Sequence, residues 1–380
     1  MLLERPKYEL ADILQLKQDN LSAICANRWK LRTLHALRRC RTAAMGGHID
    51  RCNHHACQHI HLSYNSCRNR HCPKCQGHKR EQWIAAREKD LLNCRYFHVV
   101  FTLPDCINPL ALQYPREVYA ALFKSSWRVL KGFAANPKHM GAQTGMIAVL
   151  HTWGQNLSLH PHLHCIVPAG GLNKQGKWKH SKSKGKYLFD VKQMSKVFRA
   201  QFTQELSKHV QIPAAIRKQM FAKKWVVYAK QPFAGPKQVI NYLGSYTHKV
   251  AISNHRIKNL EKGQVIFSAK DYRLGAKKVM LRLSASEFIR RFSLHVLPRG
   301  FTRMRHYGIL SGSNKKRCKV TVDAQLGAVV SLERQPKALY RLCPKCRKGS
   351  LETILCFDQR GPPKDWLKKL QTNDYQTIKK

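Results

Sequence analysis

Leu159-His160-Pro161-His162-Leu163-His164-Cys165-Ile166-Val167 is the stretch on which the fold turns. His162 and His164 flank one apolar residue, and in an extended strand residues two apart point the same way, so both imidazoles leave one face of a sheet together. Two convergent imidazoles can hold one divalent ion. Further along, Tyr242-Leu243-Gly244-Ser245-Tyr246 lies within a helical pattern. An i, i+4 spacing stacks the two phenols on one helical face. Taken alone, such a pair of histidines or tyrosines is also compatible with core packing.

Working outward from this strand, Tyr96-Phe97-His98-Val99-Val100-Phe101-Thr102-Leu103 reads as a strand stopped by Pro104. Further strands are expected at 145–152, 162–168, 224–229, 263–269 and 277–282, and helices at 115–134, 191–209, 236–248 and 284–297. Strands and helices mixed in this order, without regular βαβ alternation, imply an α+β domain with a largely antiparallel sheet flanked by helices. Residues 173–186, rich in Lys, Gly and Ser, read as an exposed loop after the histidine strand.

The N-terminal part has a different character. Residues 8–40 carry apolar positions at helical spacing, and a second helix is expected at 79–92. Between them fall Cys40, Cys52, Cys57, Cys67, Cys72 and Cys75. Cys72-x2-Cys75 has zinc-knuckle spacing. With Cys52 and Cys57 it makes one four-thiolate zinc site, while Cys40 and Cys67 remain for a second ion, together with neighbouring histidines. Cys343-Pro344-Lys345-Cys346 is a smaller knuckle whose obvious partners are only Cys356 and distant Cys318, so a four-ligand site there must borrow a histidine or stay incomplete. Cys25, Cys94, Cys106 and Cys165 stand among apolar neighbours and read as core residues. This divides the chain into a zinc-stapled module (1–94), an α+β domain carrying the histidine and tyrosine motifs (95–300) and a basic C-terminal region (301–380).

Composition narrows the partner. Lys and Arg number 69 against 21 Asp and Glu, a formal net charge of +48. Such an imbalance repels itself unless a polyanion neutralises it, and nucleic acid is the ordinary polyanion. Arg68 and Arg70 at the knuckles and Arg290 and Arg291 near the end of the α+β domain are candidate phosphate contacts. No apolar run approaches the ~20 residues that span a bilayer, and Met1-Leu2-Leu3-Glu4-Arg5-Pro6-Lys7 does not read as a signal peptide. The expectation is a cytoplasmic, DNA-associated protein with thiol rather than disulfide cysteines, no membrane partner and no small-molecule substrate.

Three stretches together carry a family resemblance. Ser66-Cys67-Arg68-Asn69-Arg70-His71-Cys72-Pro73-Lys74-Cys75, Thr152-Trp153-Gly154 with His160-Pro161-His162-Leu163-His164-Cys165, and Tyr242-Leu243-Gly244-Ser245-Tyr246 are similar to the zinc, metal and nucleophile motifs of the two-tyrosine HUH transposases of the rolling-circle insertion-sequence group. Phe288-Ile289-Arg290-Arg291-Phe292 and Arg305-His306-Tyr307-Gly308 also resemble this family. The resemblance implies an HUH-type catalytic domain that nicks single-stranded DNA at mobile-element ends. Tyr242 and Tyr246 are then nucleophiles, with a 5′-phosphotyrosine intermediate. Mg²⁺ or Mn²⁺ is held by His162, His164 and a third polar ligand. Gln155, seven residues before His162, is favoured over His160 and His151 as that ligand. Two other readings of the same residues are a zinc-dependent nucleic-acid-binding regulator without catalysis and an HUH replication initiator or relaxase.

Overall fold

A computed structural model describes residues 6–76, 84, 90–182, 188–233, 238–239, 249–271, 275–329 and 341–366. Thirteen strands lie in the described residues: β1 Gly47–Cys52, β2 Ile60–Tyr64, β3 Tyr96–Thr102, β4 Gly145–Trp153, β5 Leu159–Pro168, β6 Gly170–Leu172, β7 Trp178–His180, β8 Val226–Phe233, β9 Ile257–Glu261, β10 Gln264–Asp271, β11 Lys277–Ser284, β12 Met304–Gly308 and β13 Leu351–Phe357. The described helices are α1 Leu10–Leu16, α2 Leu21–Ile24, α3 Arg28–Arg38, α4 Asn108–Gln113, α5 Pro115–Ala135, α6 Val191–Leu206, α7 Ala214–Ala222, α8 Ala285–Ser293 and α9 Lys315–Leu326.

The central sheet has five strands in the order β12-β4-β5-β3-β8, and every neighbouring pair is antiparallel. This is the α+β architecture with a largely antiparallel sheet expected from the sequence. Alternation sorts its two faces. Phe97, Val99, Phe101, Met146, Ala148, Leu150, Leu163, Cys165 and Val167 join one core with Val118, Leu122 and Leu130 of α5 and Met194, Phe198 and Phe202 of α6. Pro115 opens α5 at a position where its missing N–H costs nothing, and the Asp190 carboxylate caps α6 by accepting from the Gln193 N–H. β4 is buried along nearly its whole length, which is why it reads as a continuous apolar run rather than an alternating one.

The opposite face carries His98 on β3, His151 on β4, and His162 and His164 on β5. Toward the far end of this face, Tyr96, Ile147 and Ile166 pack in a second apolar cluster with Val239, Ile309, Leu310 and Val322.

A three-stranded antiparallel sheet, β11-β10-β9, backs onto α8 and onto the N-terminal helices. Leu10, Ile13, Leu34 and Leu37 share a core with Val265, Phe267, Phe288 and Phe292. The third sheet, β13-β1-β2, joins opposite ends of the chain: β13 pairs antiparallel with β1 from Gly47↔Phe357 to Cys52↔Leu351. Residues beyond 300 therefore contribute an edge strand, β12, to the central sheet and another, β13, to the sheet of the N-terminal module. The helices expected at 79–92 and 236–248 fall largely outside the described residues.

Candidate metal centres and the histidine face

Antiparallel register decides which side chains meet on the central sheet. β4 and β5 are joined by a turn closed by the Gly154 N–H on the Ser158 carbonyl (2.9 Å), with Leu157 held at φ 62°. That turn sets His151 directly opposite His162 and Val149 opposite His164. Side chains opposite one another in an antiparallel pair leave the same face. His151, His162 and His164 consequently converge, each offering a ligand atom within 4.8 Å of the others. Gln155 lies in the turn beyond the end of β4, and its backbone carbonyl accepts from Arg256. The third converging imidazole is that of His151, eleven residues before His162, because the turn takes up the residues between Trp153 and Leu159.

Two hydrogen bonds fix the rings. His162 Nδ1 donates to the His160 carbonyl at 2.7 Å, leaving Nε2 free to ligate. His160 itself is exposed and contributes its backbone rather than its ring. His164 Nδ1 meets His98 Nε2 at 2.9 Å, and the two rings stack with centroids 5.1 Å apart. His98 is buried, and sequence reading placed it in a strand without giving it a role; its position one strand from the His-x-His pair was the available signal. Burial pushes the His162 imidazole down to about 4 and that of His164 lower still, with the nearby Lys249 charge acting in the same direction on both. Neutral imidazoles are the ligating form, so the donor set suits a divalent ion.

Eight of the 14 cysteines fall into two groups of four, arranged differently from the sequence expectation. Cys72 and Cys75 join Cys40 and Cys67, whereas Cys52 and Cys57 join Cys343 and Cys346. The reason is the β1–β2 hairpin. Cys52 and Cys57 sit at its turn, while Cys40 and Cys67 flank its open end, and a strand rises ~3.4 Å per residue, so one ion cannot bridge Cys52 and Cys72. In the first group Cys40 Sγ lies 3.6 Å from both Cys72 Sγ and Cys75 Sγ, and Cys67 Sγ lies 3.7 Å from Cys75 Sγ. Four thiolates at ~2.3 Å from a tetrahedral zinc ion stand ~3.8 Å apart. The donor set therefore fits structural zinc.

A family model described as "Transposase zinc-binding domain" matches residues 13–103, and one described as "Putative transposase" matches residues 145–318. A curated relative from Sinorhizobium fredii (strain NBRC 101917 / NGR234), "Putative transposase y4qJ", is 42% identical over 88% of this chain and 92% of its own length. The chain belongs to the IS91-type transposase family. The transposase of insertion sequence element IS801 from Pseudomonas savastanoi pv. phaseolicola is 31% identical, covering 74% of this chain and 70% of its own. Among solved structures, the conjugative relaxase TrwC in complex with OriT DNA, in a metal-free form, aligns with a TM-score of 0.24 at 12% identity, covering 61% of this chain and 73% of that one.

In this transposase the four arginines singled out for DNA contact have different surroundings. Arg70 is turned inward: its guanidinium donates to the carbonyls of Pro298 (3.1 Å) and Phe301, and burial lowers its pKa. It ties the cysteine loop to the turn after α8, beside Trp29 Nε1, which donates to the Leu297 carbonyl at 3.0 Å. Arg290 and Arg291 both pair with Glu287, and Arg291 also donates to the Asn156 carbonyl. Arg68 remains exposed, at φ 50° on the loop between Cys67 and Cys72. Tyr242 and Tyr246 lie outside the described residues. No described helix is long and apolar enough to cross a membrane.

Proposed function

We infer that this transposase cuts and rejoins single-stranded DNA by a tyrosine nucleophile working beside a divalent ion on the histidine face, as part of rolling-circle movement of an insertion sequence. The observation that carries the reading is the convergence of His151, His162 and His164 on one face of the central sheet. All three donors are imidazoles, which favours Mn²⁺ over Mg²⁺ as the working ion. Bound there, a divalent ion draws charge off the non-bridging oxygens of a scissile phosphate and orients it for in-line attack.

The protein supplies the rest. His162 is held neutral with its Nδ1–H on the His160 carbonyl, so its Nε2 presents a ligating lone pair without reorganisation, and His164 is oriented by His98. Val239 is fully buried in the cluster with Tyr96, Ile147 and Ile166 on the histidine face. Val239, Tyr242 and Tyr246 stand at i, i+3 and i+7, the spacing of one helical face. A phenol is ordinarily a weak nucleophile near neutral pH because its pKa is ~10. Attack of the phenol oxygen on phosphorus expels the 3′-oxygen, leaving a 3′-hydroxyl and a 5′-phosphotyrosine. Reversal by another 3′-hydroxyl transfers the strand without ATP, and a second tyrosine lets one end be held while another is cut.

The edge strand β8 offers a platform for the DNA. Val226 and Tyr228 are 56% and 52% exposed, and Tyr228 is in register with Val100 and, across β3, with His164. At ~4.8 Å per strand, Tyr228 stands two strands, ~10 Å, from His164. An exposed aromatic ring there suits stacking of a base next to the cut.

The test is covalent trapping. Purified transposase with Mn²⁺ and end-labelled single-stranded DNA from the element ends should yield an adduct that survives denaturant. His151→Ala and His162→Ala should lose it, as should the Tyr242→Phe, Tyr246→Phe double variant, while Gln155→Ala keeps it. An adduct of undiminished yield in the double variant would refute the tyrosine nucleophile.

A further inference from the structure

Cys52 and Cys57 belong to the matched zinc-binding segment, but Cys343 and Cys346 lie beyond both matched regions. Yet Cys52 Sγ is 3.6 Å from Cys346 Sγ, and Cys57 Sγ is 3.8 Å from Cys343 Sγ. All four are free thiols. These separations are the ~3.8 Å edges of a tetrahedron of thiolates around zinc and well beyond a disulfide's ~2.05 Å.

We propose that Cys52, Cys57, Cys343 and Cys346 hold a second structural zinc ion, which clasps the C-terminal segment onto the N-terminal module.

The local chain is shaped for the ion. After Cys343-Pro344-Lys345-Cys346, Arg347 turns at φ 54°, and the Lys348 and Gly349 N–H groups point at Cys346 Sγ from 3.5 and 3.4 Å. Such N–H donors stabilise a metal-bound thiolate. The same knuckle is closed by the Cys343 N–H on the Gly349 carbonyl (2.8 Å). Gly349 is required by contact as well: a Cβ there would lie 2.5 Å from Cys52 Sγ and 2.7 Å from the His54 Cβ. Beside the thiols, Asn53 N donates to the Ser350 carbonyl at 2.9 Å and Ser350 N to the Asn53 side-chain Oδ1 at 2.8 Å, so the two knuckle-bearing turns are tied together by both the backbone and the side chain of Asn53.

A metal is needed because the apolar contribution is thin. The β13-β1-β2 sheet buries Ile49 and Leu355, with partly buried Ile60, Ile354, Phe357 and Trp366 around them, and Leu351 beside the thiols. A core of that size does not hold a strand by burial alone, and small domains of this kind rely on metals or disulfides. Four soft thiolates in a tetrahedron select zinc among the common ions. The inference is independent of the chemistry on the histidine face.

The deciding experiment uses the full-length, zinc-loaded protein. Elemental analysis should find two zinc ions per chain, one for each four-thiol group, and the Cys343→Ser, Cys346→Ser variant should retain one. Stepwise removal of zinc from the unmodified protein, with alkylation and mass spectrometry at each step, covers the case in which that variant fails to fold. Cys52, Cys57, Cys343 and Cys346 should become reactive together as one zinc leaves, while exposed Cys356 reacts from the start. One zinc per chain in the unmodified protein, iron in place of the second zinc, or alkylation of Cys343 and Cys346 while Cys52 and Cys57 stay protected would overturn the proposal.

Discussion

Replacing His295 with Gln should flatten the acid sensitivity of the transposase. His295 is 1% exposed, with Nε2 3.1 Å from the Leu157 carbonyl and Nδ1 3.2 Å from Thr152 Oγ1. Both contacts suit a neutral ring, with Nε2–H donating and Nδ1 accepting. Burial depresses its pKa from the ordinary 6.5 to about 4; the Leu157 carbonyl opposes this and the Lys30 charge adds to it. Because the folded value is the lower one, the unfolded chain binds the proton more readily. The stabilisation is therefore complete above about pH 6.5 and is lost as pH falls toward about 4. Linkage puts the loss between about pH 7.5 and about pH 5 at about 2 kcal/mol from this residue. Gln cannot titrate, so His295→Gln lowers stability at neutral pH but should show a pH dependence shallower by that amount. Denaturant titrations followed by Trp153, whose ring lies 6.1 Å from His295, would report it. An unchanged difference between the two pH values in the variant would refute the claim that His295 is buried neutral.

Four further outcomes follow from the same geometry. Tyr228→Ala should weaken single-stranded DNA binding by ~1–3 kcal/mol with little change in thermal stability, since the ring is half exposed, and Tyr228→Trp should retain the affinity; equal binding by all three proteins would remove the stacking platform. His98→Ala should weaken Mn²⁺ binding roughly 10–100-fold in a calorimetric titration, through lost orientation of His164. Leu163→Ala, in the core beneath the histidines, should cost ~2–5 kcal/mol of unfolding free energy. Arg68→Ala should reduce the slope of log affinity against log salt for single-stranded DNA by ~0.7, whereas Arg70→Ala should lower stability by ~1–3 kcal/mol and leave that slope unchanged.

The elements legible in the sequence are those whose pattern is local. β5 showed its histidine pair by period-two spacing, Pro104 ended β3 as expected, and α5 and α6 followed their apolar stripes to within a turn. What escaped depended on where distant or turning segments meet. His151 meets His162 because of the length of the β4–β5 turn, which is not written in any one residue. The cysteine pairs were visible, but their grouping was not, since the partners of Cys52 and Cys57 come from Cys343 and Cys346. β1, β2 and β13 are short and half polar, and β13 is a strand because β1 lies beside it. Arg70 read as a phosphate contact by its charge, while only packing shows that carbonyls take its hydrogen bonds.

The pairing of β1 with β13 sets an order of events during synthesis. Cys52 leaves the ribosome long before Phe357 is made. At ~5–20 residues per second, roughly 15–60 s pass during which the hairpin of β1 and β2 has an open edge and two unsatisfied thiols. A chain cut short by premature termination never acquires β13, so its front module stays unfinished and exposed to proteases. The sheet that carries Cys52 and Cys57 therefore closes only once β13 has been made.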